Sequence, residues 1–147
     1  LTLDPGLYVS RRDKKDGVVV TTFDLRITAP NREPVIDVPA LHTIEHLCAT
    51  FLRNSKQSEN IVYFGPMGCQ TGFYLLVRDN VSPEKVLDII KDVLLQTKNY
   101  TGEVFGKSEI ECGNYKTLNM EAARKMCAEY YEKIQNLSKI LTYKEII

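Results

Sequence analysis

Apolar positions along this chain alternate between a spacing of two and a spacing of three to four, and each switch marks an element. After the turn signal Asp16-Gly17 comes Val-Val-Val-Thr-Thr-Phe-Asp-Leu-Arg-Ile-Thr, a β-branched run that predicts a strand over 17–28. Residues 7–10 are its candidate hairpin partner. Pro30 and Pro34 make 29–37 a loop. Pro39 then opens a helix to Arg53, with Leu41, Ile44, Cys48, Phe51 and Leu52 as its apolar stripe. Residues 60–64 and 72–77 are predicted strands flanking the turn-rich Gly65-Pro66-Met67-Gly68-Cys69-Gln70. Ser82-Pro83-Glu84 joins a cap, a proline and an acid, so a helix should run to about Thr97 with Val86, Leu87, Ile90, Val93 and Leu94 inward. A polar stretch over 99–108 leads to Cys112-Gly113. Asn119 is the candidate cap of a last helix carrying Ala123, Cys127, Tyr130, Ile134 and Leu137 on one face. Residues 138–147 give no assignment. The order β-β-α-β-β-α-α predicts an α+β fold, a mostly antiparallel sheet with helices packed on one face.

Composition narrows this picture. A chain of 147 residues fits a single domain spanning 1–147, and 44% hydrophobic residues suffice for an ordinary core. Lys+Arg and Asp+Glu both number 19, so no basic excess points to nucleic acid. The apolar runs are too short to span a bilayer, and no membrane partner is expected. The first residue is Leu1, not Met, from which a truncated N-terminal segment is expected. The cysteines are Cys48, Cys69, Cys112 and Cys127. With a full core and no secretory signal, they read as reduced thiols of a cytoplasmic protein.

Both histidines fall in His42-Thr43-Ile44-Glu45-His46. Positions i and i+4 share a helix face, so two imidazoles can close on one metal ion with the Glu45 carboxylate beside them. A metal that polarises oxygen and a carboxylate that moves protons form a recurring catalytic pair. Two histidines on an amphipathic helix can also have no ligand role, but the shared face and the accompanying acid favour the metal. The same spacing is the signature of inverted zinc metalloproteases, in which a downstream glutamate completes the site, and Glu121 stands near that distance. A thiolate at Cys112 would instead complete a His₂Cys site with an open fourth position; an ordinary buried cysteine is the competing reading. Cys69 sits among Pro66, Gly68 and Gly72, where free amides of a tight turn can stabilise a thiolate. It can equally be a small apolar residue ending a strand. Arg26 can pair with an anion or simply be solvated. Cys48 and Cys127 fall on inward helix faces and read as core. A structural metal module that binds a partner is the non-enzymatic alternative.

Taken together, the motifs Pro5-Gly6-Leu7-Tyr8-Val9-Ser10, Phe23-Asp24-Leu25-Arg26, His42-Thr43-Ile44-Glu45-His46-Leu47, Pro66-Met67-Gly68-Cys69-Gln70-Thr71-Gly72-Phe73-Tyr74 and Cys112-Gly113-Asn114-Tyr115 occur in this order. The chain thereby resembles the S-ribosylhomocysteine lyase (LuxS) family over about 6–134. The resemblance implies a homodimeric carbon–sulfur lyase with active sites at the subunit interface. It would convert S-ribosylhomocysteine to homocysteine and 4,5-dihydroxy-2,3-pentanedione, the precursor of the quorum-sensing signal autoinducer-2, within the methyl cycle. It assigns His42, His46 and Cys112 to the metal, Fe(II) natively and Zn(II) in purified material. Cys69 and Glu45 become the acid/base pair, with Arg26 holding the Cys69 thiolate or a nearby developing charge. Phe64, Gly65, Pro66 and Met67 become substrate contacts. This chain departs from the family at Tyr63-Phe64-Gly65, where Asp-Ile-Ser is usual, and at Leu118, where a histidine is usual.

Overall fold

A computed structural model describes residues 3–78, 81–102, 119–137 and 139–143. Strand β1 (Gly6–Lys15) and strand β2 (Val18–Arg26) form an antiparallel hairpin. Its two turn residues both have positive φ, 52° at Asp16 and 81° at Gly17, as a primed hairpin turn demands. The hairpin is longer than the hydrophobic pattern predicts, because β1 continues through Arg11, Arg12, Asp13, Lys14 and Lys15. These five side chains are exposed, and the strand is held there by pairing to β2, not by burial. A bulge at Ser10 separates the buried half from the exposed half.

Helix α1 (Val38–Arg53) starts one residue before Pro39, with Asp37 as its cap accepting from the Ala40 N–H at 2.9 Å. Strands β3 (Ile61–Pro66) and β4 (Gly72–Arg78) are antiparallel and enclose the Cys69 turn. Helix α2 (Pro83–Asn99) is capped by Ser82 and helix α3 (Met120–Ile134) by Asn119. Both caps are the ones predicted, and the predicted inward positions of α2 are all buried. The unassigned tail supplies a short strand β5 (Leu141–Thr142).

The sheet order is β3-β4-β2-β1-β5, antiparallel except for β5, which runs parallel to β1. One apolar core joins Leu7, Val9, Phe23, Leu25, Phe73 and Leu75 of the sheet to the buried stripes of the three helices. The α+β expectation therefore holds. Strand alternation has a consequence for the site. Asp24 and Arg26 alternate with core-facing Phe23 and Leu25, so they leave the sheet on its other face. Among the described residues no helix is long and apolar enough to cross a membrane.

Candidate active site

The Cys69 turn is built by backbone constraint. Gly72 lies so close to β2 that an added Cβ would stand 2.2 Å from the Leu25 carbonyl oxygen, hence a glycine. The Gln70 N–H donates to the Met67 carbonyl, and Gln70 itself takes a positive φ of 59°. The Thr71 carbonyl accepts from both Ile27 and Thr28, and the Gln70 carbonyl accepts from Ile36. Ile36 lies just before α1, so the same turn is tied to the end of β2 and to the approach of the histidine helix.

On this frame the exposed Cys69 sulfur lies 3.0 Å from Thr71 Oγ1 and 3.9 Å from Arg26 Nη1. Arg26 Nη1 also donates to Thr71 Oγ1 at 2.6 Å. The Thr71 oxygen accepts from the guanidinium, and its own proton is available to a thiolate at Cys69. Burial opposes a charged Cys69, but the Thr71 hydrogen bonds and the Arg26 charge outweigh it and hold the thiol below its ordinary pKa. Arg26 is itself clamped by Asp24, with Nε to Oδ1 at 3.1 Å and Nη2 to Oδ2 at 2.6 Å. Asp24 is fully buried and also accepts from the Tyr143 hydroxyl.

On α1, His42 and His46 turn their Nε2 atoms toward each other, 3.0 Å apart, with ring centroids 4.7 Å apart. Bond lengths of ~2.0–2.1 Å at a tetrahedral angle would put two ligating nitrogens roughly 3.3 Å apart, so the pair fits one ion with little adjustment. Burial and then the neighbouring His42 lower the His46 imidazole, with Glu45 opposing. The neutral form thus favoured is the one that binds metal. Glu45 is half-buried on the same helix. Cys112, the predicted third ligand, lies outside the described residues, as does Leu118. Glu121 is exposed in the first turn of α3, and among the described residues no three His, Cys, Asp or Glu side chains gather around one point.

Of the predicted substrate contacts, Phe64, Gly65 and Met67 are buried and Pro66 is half-buried. Phe64 stacks on Phe73 at 5.0 Å between centroids. Cys48 and Cys127 are buried free thiols, as expected for core positions. Four contributors escaped the sequence reading. Asp24 carries a signal, since it shares a strand face with Arg26 at i+2, whereas Thr71 reaches Cys69 only through the geometry of the turn. Thr43 lies inside the histidine motif, fully buried, donating to the Pro39 carbonyl at 2.8 Å and accepting the Asn119 N–H at 2.5 Å. It thereby docks the start of α3 onto α1. Tyr143 had no local signal at all.

Comparison with known proteins places the chain in a family. The family model described as S-Ribosylhomocysteinase (LuxS) matches residues 1–140. A protein of Finegoldia magna named S-ribosylhomocysteine lyase is 50% identical over 139 residues, covering 95% of this chain and 88% of the relative. Relatives of the same name from Borreliella afzelii and Clostridium acetobutylicum are 45% and 44% identical, covering 93% and 95% of this chain and 88% and 89% of their own lengths. The chain belongs to the S-ribosylhomocysteinase (LuxS) family.

Proposed function

We propose that this chain is an S-ribosylhomocysteine lyase in which His42, His46 and Cys112 hold a divalent metal while Cys69 and Glu45 move the protons. Family membership supports the substrate and the cleaved carbon–sulfur bond. The observation that carries the chemistry is the exposed Cys69 sulfur, held between Thr71 Oγ1 and Arg26 Nη1 and ionised more easily than an ordinary thiol.

The reaction asks for a base that can also return a proton. The ring-opened ribose carries its carbonyl at C1, and two proton shifts move it through C2 to C3. Each shift removes a proton from carbon and returns one to the neighbouring carbon. Cys69 does this from one side of the sugar as a thiolate, and Glu45 from the other. With the carbonyl at C3, a proton leaves C4, the C5–S bond breaks, and the sulfur departs as homocysteine after protonation. A base with its pKa near neutrality suits every step. A metal at the histidine pair supplies electrostatic polarisation of sugar oxygens with no change of redox state. A donor set of two imidazoles and a thiolate accepts either Fe(II) or Zn(II), and the family resemblance implies Fe(II) natively and Zn(II) in purified material.

Residues 64–67 contact substrate chiefly through backbone, since the Phe64 and Met67 side chains are buried. A homodimer fits the exposure of Cys69 in the single chain, because a second copy over it would exclude water. The exposed Val62 and Tyr63 of β3, at 52% and 50%, suit the same arrangement. The three described cysteines are free thiols, consistent with the cytoplasm.

The ligand set is tested by metal analysis of purified variants. Cys112→Ala and His46→Ala should each lose bound metal, whereas Glu121→Ala should retain it. Loss of metal in Glu121→Ala with retention in Cys112→Ala would replace the lyase site with the protease arrangement.

A further inference from the structure

Tyr143 lies beyond the residues that the family model matches, yet it reaches the group that supports Cys69. Strand β5 brings it there: Leu141 and Thr142 pair with Tyr8 and Val9 of β1, and the next residue turns its ring toward Tyr8 at 6.4 Å between centroids. The Tyr143 hydroxyl donates to Asp24 Oδ2, the same oxygen that takes Arg26 Nη2 at 2.6 Å. Asp24 Oδ1 takes Arg26 Nε at 3.1 Å, so one whole edge of the guanidinium is fixed. The guanidinium is planar, and fixing one edge aims the opposite corner. That corner is Nη1, which reaches Thr71 Oγ1 at 2.6 Å and Cys69 Sγ at 3.9 Å.

We propose that Tyr143 is a positioning residue for Cys69: its phenol pins the Asp24 carboxylate, the carboxylate pins Arg26, and Arg26 holds the thiolate. The proposal rests on reading Cys69 as the acid/base group. The direction of the effect follows from charge. A phenol proton on Oδ2 draws density from the carboxylate, leaving more of the Arg26 charge uncancelled at the sulfur. Without it the carboxylate neutralises Arg26 more fully and is freer to turn, and both changes disfavour the thiolate.

The groups facing this chain of contacts are Asp24 and Arg26 on β2, Tyr8 and Ser10 on β1, and Tyr130 on α3. The Tyr130 hydroxyl is committed to the Gly6 carbonyl at 2.6 Å, and that of Tyr8 to the Asp4 carbonyl at 2.8 Å. Burial, followed by the Asp24 contact, pushes the Tyr143 phenol up to about 12, so it remains a donor throughout the range in which a thiol titrates.

The test is the pH dependence of Cys69 alkylation by iodoacetamide in the full chain, read by peptide mass so that other thiols do not count. It requires no turnover, so its failure is distinguishable from failure of the proposed catalytic role. Tyr143→Phe keeps the ring and should raise the alkylation midpoint by about half a pH unit, slowing modification near pH 7 about threefold. Tyr143→Leu should raise it equally while lowering thermal stability further. A midpoint in Tyr143→Phe that is unchanged or lowered overturns the proposal. So does a shift that follows loss of stability across the two variants instead of loss of the hydroxyl.

Discussion

Replacing Arg26 with methionine isolates the buried pair beneath the site. Asp24 has no solvent exposure, and both of its oxygens are engaged by Arg26, at 3.1 and 2.6 Å. Methionine keeps much of the arginine stem and removes the charge. The carboxylate would then keep the Tyr143 hydroxyl and lose its counter-ion. Leaving one member of a buried pair behind typically costs about 3–5 kcal/mol. For a chain of this length, each kcal/mol moves the unfolding midpoint by roughly 2–4 °C, so Arg26→Met should melt roughly 6–20 °C below the parent. Thermal unfolding at pH 7 and fixed protein concentration reads this directly. The double variant Asp24→Leu/Arg26→Met provides the control. With both charges gone, nothing charged is stranded, and most of the loss should return despite the second mutation. An Arg26→Met variant within about 1 kcal/mol of the parent would refute the reasoning, as would a double variant less stable than the single.

Two further outcomes follow from the turn itself. Gly72→Ala forces a Cβ to within 2.2 Å of the Leu25 carbonyl oxygen, a backbone atom that cannot swing aside, and should cost roughly 1–3 kcal/mol in the same melts; an unchanged midpoint would show that β2 and β4 can part freely. The lowered thiol pKa of Cys69 shifts its thiolate to lower pH, so Cys69 should alkylate faster near pH 7 than an unperturbed thiol. Thr71→Val should move that profile back upward, and a Cys69 that already titrates as a free thiol would contradict the role given to Thr71 and Arg26.

What the sequence made legible depended on how local each signal is. Helix caps at Ser82 and Asn119 are written in three or four consecutive residues, and both appear where predicted. The histidine pair needed only helical spacing, and the structure turns the two rings toward each other. Cys69 and Arg26 were individually ambiguous, because their contact spans β2 and the turn before β4, a relation no single window contains. The second half of β1 was missed because Arg11 to Lys15 lack an apolar face; they are strand only by pairing with 18–22. Tyr143 was illegible for a similar reason. Its function depends on a two-residue strand that exists because β1 offers an edge. Asp24 was the avoidable omission, since an acid two residues before Arg26 on one strand lies on the same face.

Proton movement by Cys69 in the cleavage of S-ribosylhomocysteine is the proposed chemistry. Its most direct test is thiol release from that substrate by the Fe(II)-supplied protein under anaerobic conditions, with Cys69→Ala measured alongside for metal content and release. The parent should release homocysteine steadily and Cys69→Ala should lose at least about 10²-fold, with metal retained in both. Parent-like release by Cys69→Ala would contradict that chemistry.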